Sequence, residues 1–248
     1  MDNQYDILAR FYRELIVASG HWEKEQNVIL KVISKLNIKY NNTILDAACG
    51  TGDALCFLYN LGYKKLIGLD SSKNMIKEAI NILPNIKYYN LKWSEIYAIS
   101  EFFNYFDIIY IVSISILHVE SIEELSSILK ALYSTLKPNG KLVIDNRMWE
   151  KNSEGLIEVG RIINQYRYLC TSTINNEKFL MMDICHYNKD RQIVEYMIKS
   201  KHHLYKIEVS YLRISTSLLK QLLYQSGFNK VENEKYTIWP YELIYAYK

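Results

Sequence analysis

Apolar residues recur first at helical spacing and then in short runs. Residues 5–18 place Ile7, Leu8, Phe11, Leu15 and Ile16 on one helical face, and residues 23–36 read as a second helix. Five apolar runs follow at Thr43–Ala47, Lys65–Leu69, Ile86–Asn90, Phe106–Val112 and Lys141–Asp145. Helical patterns at Ala54–Leu61, Asn74–Ile82 and Ile122–Leu136 lie between them. Strands alternating with helices predict a parallel sheet joined by right-handed crossovers. Lys137-Pro-Asn-Gly140 predicts the turn into the fifth strand, because Pro cannot continue a helix while Asn and Gly tolerate tight-turn dihedrals.

The pattern changes after Arg147. Residues 164–213 give strand-like runs, among them Phe179–Tyr187 and Ile193–Lys199, broken at Asn175-Asn176 and Lys189-Asp190. These predict an antiparallel meander. A helix at Ser215–Gln225, stopped by Gly227, precedes two short strands at Lys230–Tyr236 and Glu242–Tyr247. The expected division is therefore a nucleotide-type α/β domain from residues 1–147 and 214–248, with residues 148–213 inserted as a lid over the active site.

Composition narrows the class. A chain of 248 residues, 49% apolar and 23% charged, suits one globular domain with an elaboration. A net charge of +3 argues against a polyanionic partner, and the basic stretch Lys199–Lys206, with His202 and His203, alternates with apolar residues as a solvated strand face does. Neither nucleic acid nor membrane is expected as a partner, and a homo-oligomer remains open. Ile108–Leu117, the longest apolar run, is broken by Ser113 and Ser115 and is too short to span a bilayer. The cysteines at 49, 56, 170 and 185 lack metal-ligand spacing, so no metal site is expected. Reduced thiols and a polar N-terminus suit a cytoplasmic enzyme. The 22 tyrosines read mainly as a coding bias, with some available to line a pocket.

The chemistry concentrates at Asp46-Ala-Ala-Cys-Gly50-Thr-Gly52, between the first predicted strand and an apolar helix. Glycines there let the chain turn sharply and bring its backbone against a ligand. A dinucleotide site wants a third small residue where this chain has Leu55, and Asp46 and Asp53 oppose a pyrophosphate. The same acids favour a ligand carrying an ammonium and a sulfonium. Asp70, at the end of the second strand, is placed to accept hydrogen bonds from both hydroxyls of a ribose.

With Asp70-Ser-Ser-Lys-Asn-Met75 and the Lys137–Gly140 turn, these segments resemble the motifs of class I S-adenosylmethionine-dependent methyltransferases. Within that family the pattern is similar to the glycine N-methyltransferase and small-molecule N-methyltransferase group. Lys92-Trp93 and Ile144-Asp145-Asn146-Arg147 carry that narrower likeness. The resemblance implies a Rossmann-like, mostly parallel sheet with an antiparallel last strand, and S-adenosylmethionine as cofactor. It implies that Asp46 lies near the methionine amino group, that Ala48 and Gly50 contact the cofactor through their backbone, that Asp70 holds the ribose, and that Gly52 and Ser71 also belong to the cofactor-binding set. Met75, Lys92 and Trp93 would surround adenine, and Val112 and Ser113 would pass the methionyl part. His118 would act on the acceptor, Arg147 would hold the acceptor's carboxylate, and Tyr5, in a Tyr-Asp-x-x-Ala segment, would close over the cofactor.

One departure is informative. The group carries Asn just after the fourth strand, where it positions glycine, and this chain has Ile114. An apolar side chain offers no such hydrogen bond, which points away from glycine and toward a larger or flatter acceptor. The expected function is methylation of a small molecule, N-methylation of an amine, amino acid or heterocycle first. The alternatives are a small-molecule O-methyltransferase and a non-catalytic partner that keeps the cofactor site. A nucleic-acid methyltransferase is disfavoured by the charge and by Ser113-Ile-Ser-Ile116, which stands where such enzymes carry Asn/Asp-Pro-Pro-aromatic.

Overall fold

A computed structural model describes residues 4–152, 155–235 and 241–248. The chain begins with α1 (Gln4–Ala18) and α2 (His21–Leu36), each amphipathic with one buried stripe. The α/β core then runs β1 (Ile44–Asp46), α3 (Asp53–Asn60), β2 (Leu66–Asp70), α4 (Lys73–Ile82), β3 (Lys87–Asn90), β4 (Phe106–Ile111), α5 (Ile122–Thr135) and β5 (Leu136–Arg147). Next come the hairpin β6 (Trp149–Asn152) and β7 (Gly155–Glu158) and the meander β8 (Arg167–Ile174), β9 (Glu177–Asn188), β10 (Arg191–Lys199) and β11 (Leu204–Leu212). The chain ends with α6 (Thr216–Gln225), β12 (Lys230–Lys235) and β13 (Tyr241–Tyr247). Tyr236, expected in the penultimate strand, lies outside the described residues.

The central sheet has the order β12-β13-β5-β4-β1-β2-β3. Strands β1 to β5 are parallel, and β13 inserts antiparallel between β5 and β12. Strand order reverses between β1 and β4, the switch point where open α/β sheets present a ligand crevice at their carboxyl ends. That edge carries Asp46, Asp70, Val112 and Arg147. Both faces of the sheet are covered. One apolar core joins it to α5, α6 and strands β9 to β11, and a second joins it to α2 and α3. This explains why β1, β2 and β4 read as near-continuous apolar runs.

The Lys137–Gly140 turn lies inside β5 rather than before it. Leu136 already pairs with Phe106 and Lys141 pairs with Ile108, so residues 137–140 bulge out opposite Asp107. Turn chemistry makes the bulge possible: Asn139 sits at φ +64°, and a Cβ on Gly140 would lie 2.8 Å from the Lys137 carbonyl oxygen.

Strands β8 to β11 form a separate antiparallel sheet whose hairpin turns use Asn175 and Asn176 at φ +50° and +66°, and Lys189 at +49°. Helix α1 packs between this sheet and α4, burying Leu8, Phe11 and Leu15 against Met75, Phe179 and Ile207. No helix among the described residues is long and apolar enough to cross a membrane.

Candidate functional site

The glycine turn is fixed by hydrogen bonds that run to carboxylates. Asp46, closing β1, accepts from the Ala48 amide at 3.2 Å. Gly50, at φ +50°, donates its amide to Asp70 at 2.9 Å, and Ser72 donates to the other Asp70 oxygen at 2.8 Å. Asp70 therefore ties the turn after β1 to the start of α4, and a carboxylate with roughly four lone-pair sites keeps capacity for further donors. Across the turn, the Trp93 indole donates to the Ala47 carbonyl at 2.6 Å and is held beside β1.

Helix α1 is latched down by its own acid. Asp6 accepts from the Ser72 hydroxyl at 2.5 Å and from the Asn74 amide at 3.1 Å, while Ser72 caps α4 by accepting from the Met75 amide. Between this helix, the carboxyl edge of the sheet and the β8–β11 sheet lies a cavity of about 960 Å³. Tyr5, Ala48, Gly50, Asp70, Ser71, Met75, Lys92, Trp93, Ser113, His118 and Arg147 all line it. Three other residues singled out from the sequence do not. Asp46 and Val112 face a smaller cavity behind the turn. Gly52, at φ +81°, starts α3, and a Cβ there would come 2.9 Å from the Ala79 side chain, so its smallness serves packing against α4.

His118 and Tyr5 meet across the cavity. The His118 Nδ1 faces the Ser210 carbonyl oxygen at 3.3 Å. A carbonyl can only accept, which assigns the ring proton to Nδ1 and leaves Nε2 to accept from the Tyr5 hydroxyl at 2.6 Å. Burial lowers His118 to about 4, against a smaller opposing effect of the Ser210 bond, so the ring is neutral at physiological pH. Tyr5 is pushed well above its ordinary value, chiefly by burial.

Arg147 lines the cavity, but its charge is already matched. Its Nη1 lies 2.6 Å from Glu158, with both side chains 6% exposed, and its guanidinium stacks on Tyr211 at 4.7 Å. Glu158 also accepts from the Gln192 amide at 2.8 Å. The expected anchor for a carboxylate is a neutral pair. Nearby, Asp183, 2% exposed, binds both Arg161 at 2.9 Å and Arg167 at 2.8 and 3.1 Å. Glu158 and Asp183 escaped the sequence reading because their partners are remote in sequence and share no spacing with them.

Glu25 and His21 of α2 were missed as well. His21 lines the main cavity, and burial lowers it to about 4, with Lys24 adding to the effect. A signal for Glu25 existed: it falls in the buried stripe Glu25, Val28, Ile29, Val32 and Leu36. An acid in an apolar stripe is uncommon without a reason. Burial raises Glu25 to about 8 and Asp46 and Asp145 to about 7, and no Lys or Arg is paired with any of them among the described residues.

Residues 44–140 match the family model of a methyltransferase domain. The chain carries a methyltransferase domain. Such an enzyme draws on S-adenosylmethionine, and the residues present fit that cofactor: uncompensated carboxylates suit a ligand bearing ammonium and sulfonium, where a pyrophosphate would be repelled.

Solved structures share the fold of the methyltransferase domain and its additions. An S-adenosylmethionine-dependent methyltransferase from Clostridium acetobutylicum superposes with a TM-score of 0.73 at 17% identity, covering 99% of each chain. A sugar N-methyltransferase from Streptoalloteichus sp. gives 0.70 at 17% identity, covering 100% of this chain and 94% of its own. An amino pentose methyltransferase from Micromonospora echinaspora, solved with S-adenosylmethionine, gives 0.68 at 14% identity and 91% of each chain. Among curated proteins none matches by sequence.

Proposed function

We propose that this methyltransferase methylates the nitrogen of a small amine, with residues 148–213 and α1 closing the acceptor's side of the cavity as a lid. The observation that carries the reading is that four titratable side chains lining the cavity, two histidines and two buried acids, are poorly suited to serve as a base. His21 and His118 are both depressed to about 4, and Glu158 and Asp183 are tied to arginines. A neutral amine attacks through its own lone pair and needs no base, whereas a hydroxyl must surrender a proton to become an effective nucleophile. Sugar amines are the favoured acceptor class, since two of the fold's neighbours are described as sugar or amino pentose methyltransferases. An amino acid is a poorer fit, because Glu158 already occupies Arg147.

S-adenosylmethionine supplies an activated methyl group and with it the driving force of an in-line displacement. The chain's residues supply placement and dryness. Asp70 and the turn at Ala48 and Gly50 hold the nucleoside, with Ser71, Met75, Lys92 and Trp93 around the base and sugar. Asp46, Val112 and Ser113 flank the methionyl end. Neutral His118 accepts the Tyr5 hydroxyl hydrogen and, with Tyr211, holds the Tyr5 oxygen at the acceptor's side of the cavity, where it orients the acceptor. Arg147, held flat by Glu158 and Tyr211, bounds the far end.

The test is a matched pair of acceptors, an amino sugar and the same sugar with hydroxyl in place of amine, assayed by mass spectrometry. Methylation of the amine alone is expected. Methylation of the hydroxyl alone would establish the O-methyltransferase reading, and cofactor uptake without turnover on any acceptor would establish a non-catalytic subunit.

A further inference from the structure

Behind the glycine turn, a cavity of about 30 Å³ opens between α2, β1 and β4. It shares Ala48, Gly50 and Ser113 with the main cavity, so it continues the cofactor side rather than forming a separate site. Its size suits one water or one ammonium head. We infer that Glu25, on α2, together with Asp46 and the Tyr110 hydroxyl, forms the pocket for the cofactor's ammonium. The inference rests on S-adenosylmethionine being the ligand of the main cavity.

Two independent features lead to this assignment. The first is charge. Glu25 is 9% exposed, and its polar neighbours are the Ser113 hydroxyl at 3.4 Å and His21 Nε2 at 4.0 Å. Facing it are Asp46 from β1, Asp53 from α3, Asp145 from β5, Tyr12 from α1 and Tyr110 from β4. Asp53 has Arg13 at 3.2 Å, while Lys24 looks into the main cavity. Glu25 and Asp46 thus sit buried side by side without a cation of the chain paired to either, among the described residues. Buried carboxylates of that kind are costly unless a positive group joins them.

The second feature is a polar atom with nothing to bond. Tyr110 is 5% exposed, lines the small cavity, and its hydroxyl has no hydrogen-bond partner. A buried hydroxyl left alone costs free energy. Two carboxylates and one hydroxyl oxygen offer three acceptors around a space of ammonium size, and an ammonium brings three donors. Burial, with Asp46 and Asp145 facing it, raises Glu25 to about 8, and burial, with Asp70 facing it, raises Asp46 to about 7, so a positive group entering the cavity would relieve both.

The test is calorimetric binding, not turnover. The two probes are S-adenosylhomocysteine and its desamino analogue, which keeps the nucleoside, thioether and carboxylate and lacks only the amino group. Glu25→Gln preserves shape and removes charge; it should weaken S-adenosylhomocysteine by roughly tenfold to a hundredfold and leave the desamino analogue unchanged. Tyr110→Phe should weaken the first several-fold and spare the second, and it carries the test alone should Glu25→Gln not fold. Equal weakening of both probes, or of neither, would overturn the assignment of Glu25. Failure of the unaltered protein to bind either probe would overturn the cofactor reading itself.

Discussion

The cavity wall built by the parallel sheet holds its functional groups by backbone geometry, whereas the wall built by α1 and the antiparallel sheet holds them by side-chain pairs. On the sheet side, Gly50 at positive φ turns its amide to Asp70, and the Ala47 carbonyl receives Trp93. On the other side, Tyr5 leans on His118, Arg147 on Glu158, and Arg161 and Arg167 on Asp183. The first wall is built from short motifs at the ends of adjacent strands, each recognisable by itself and brought together by the sheet. The second is built from single side chains that only the folding of the antiparallel segments brings into pairs. In the proposed function the cofactor, common to a whole enzyme class, meets the first wall, and the acceptor, which differs between enzymes, meets the second.

The largest effect should come from cutting the assembled wall at Asp183. Asp183→Asn leaves the buried Arg161 guanidinium without its counter-charge, and removing one partner of a buried pair costs about 3 to 5 kcal/mol. Denaturant unfolding should show that loss. A loss below about 1 kcal/mol would mean that the pair is solvated like a surface one.

A gentler cut separates the walls functionally. Tyr5→Phe removes the hydroxyl held by His118 and should lower kcat/KM for the amine about tenfold, the worth of one hydrogen bond. Affinity for S-adenosylhomocysteine should stay within about twofold. Parallel loss of both would place Tyr5 on the cofactor alone.

The smallest effect is in pH. Glu25, Asp46 and Asp145 have folded-state values raised to about 8, 7 and 7, so the stability they contribute is full below the ordinary carboxylate range and is lost as pH rises through those values. His21 and His118, depressed to about 4 from an ordinary 6.5, contribute stability above 6.5 that is lost as pH falls toward 4. Above about 6.5 the histidines are therefore flat and the acids alone slope. The melting temperature of the ligand-free protein should fall from about pH 6.5 to 8. Glu25→Gln should flatten much of it. An unchanged slope in that variant would show that Glu25 is not the titrating group.

How far the sequence could be read follows the same divide. The alternation of strands and helices, the glycine turn, Asp70 and the antiparallel meander were all visible because each is a local pattern. Eleven of the fourteen residues singled out line one cavity. Gly52 stands outside that cavity, and its need for space against Ala79 is a packing demand that leaves no mark in the motif. The hairpin β6–β7 gave no alternating signal, yet it delivers Glu158 to Arg147. Arg147 was visible as a side chain at a strand end. Its neutralisation depended on an acid eleven positions on, at the end of a strand, β7, that no pattern in the sequence announced.

The central claim is that Asp70 and the glycine turn receive S-adenosylmethionine. Calorimetric titration of the unaltered protein and of Asp70→Ala with S-adenosylhomocysteine tests it most directly. The account predicts one-to-one binding by the first and a loss on the order of 100-fold in the second, because a charged acceptor of the ribose hydroxyls and an anchor of Gly50 vanish together. Equal affinity in the two proteins, or no uptake by either, would contradict it.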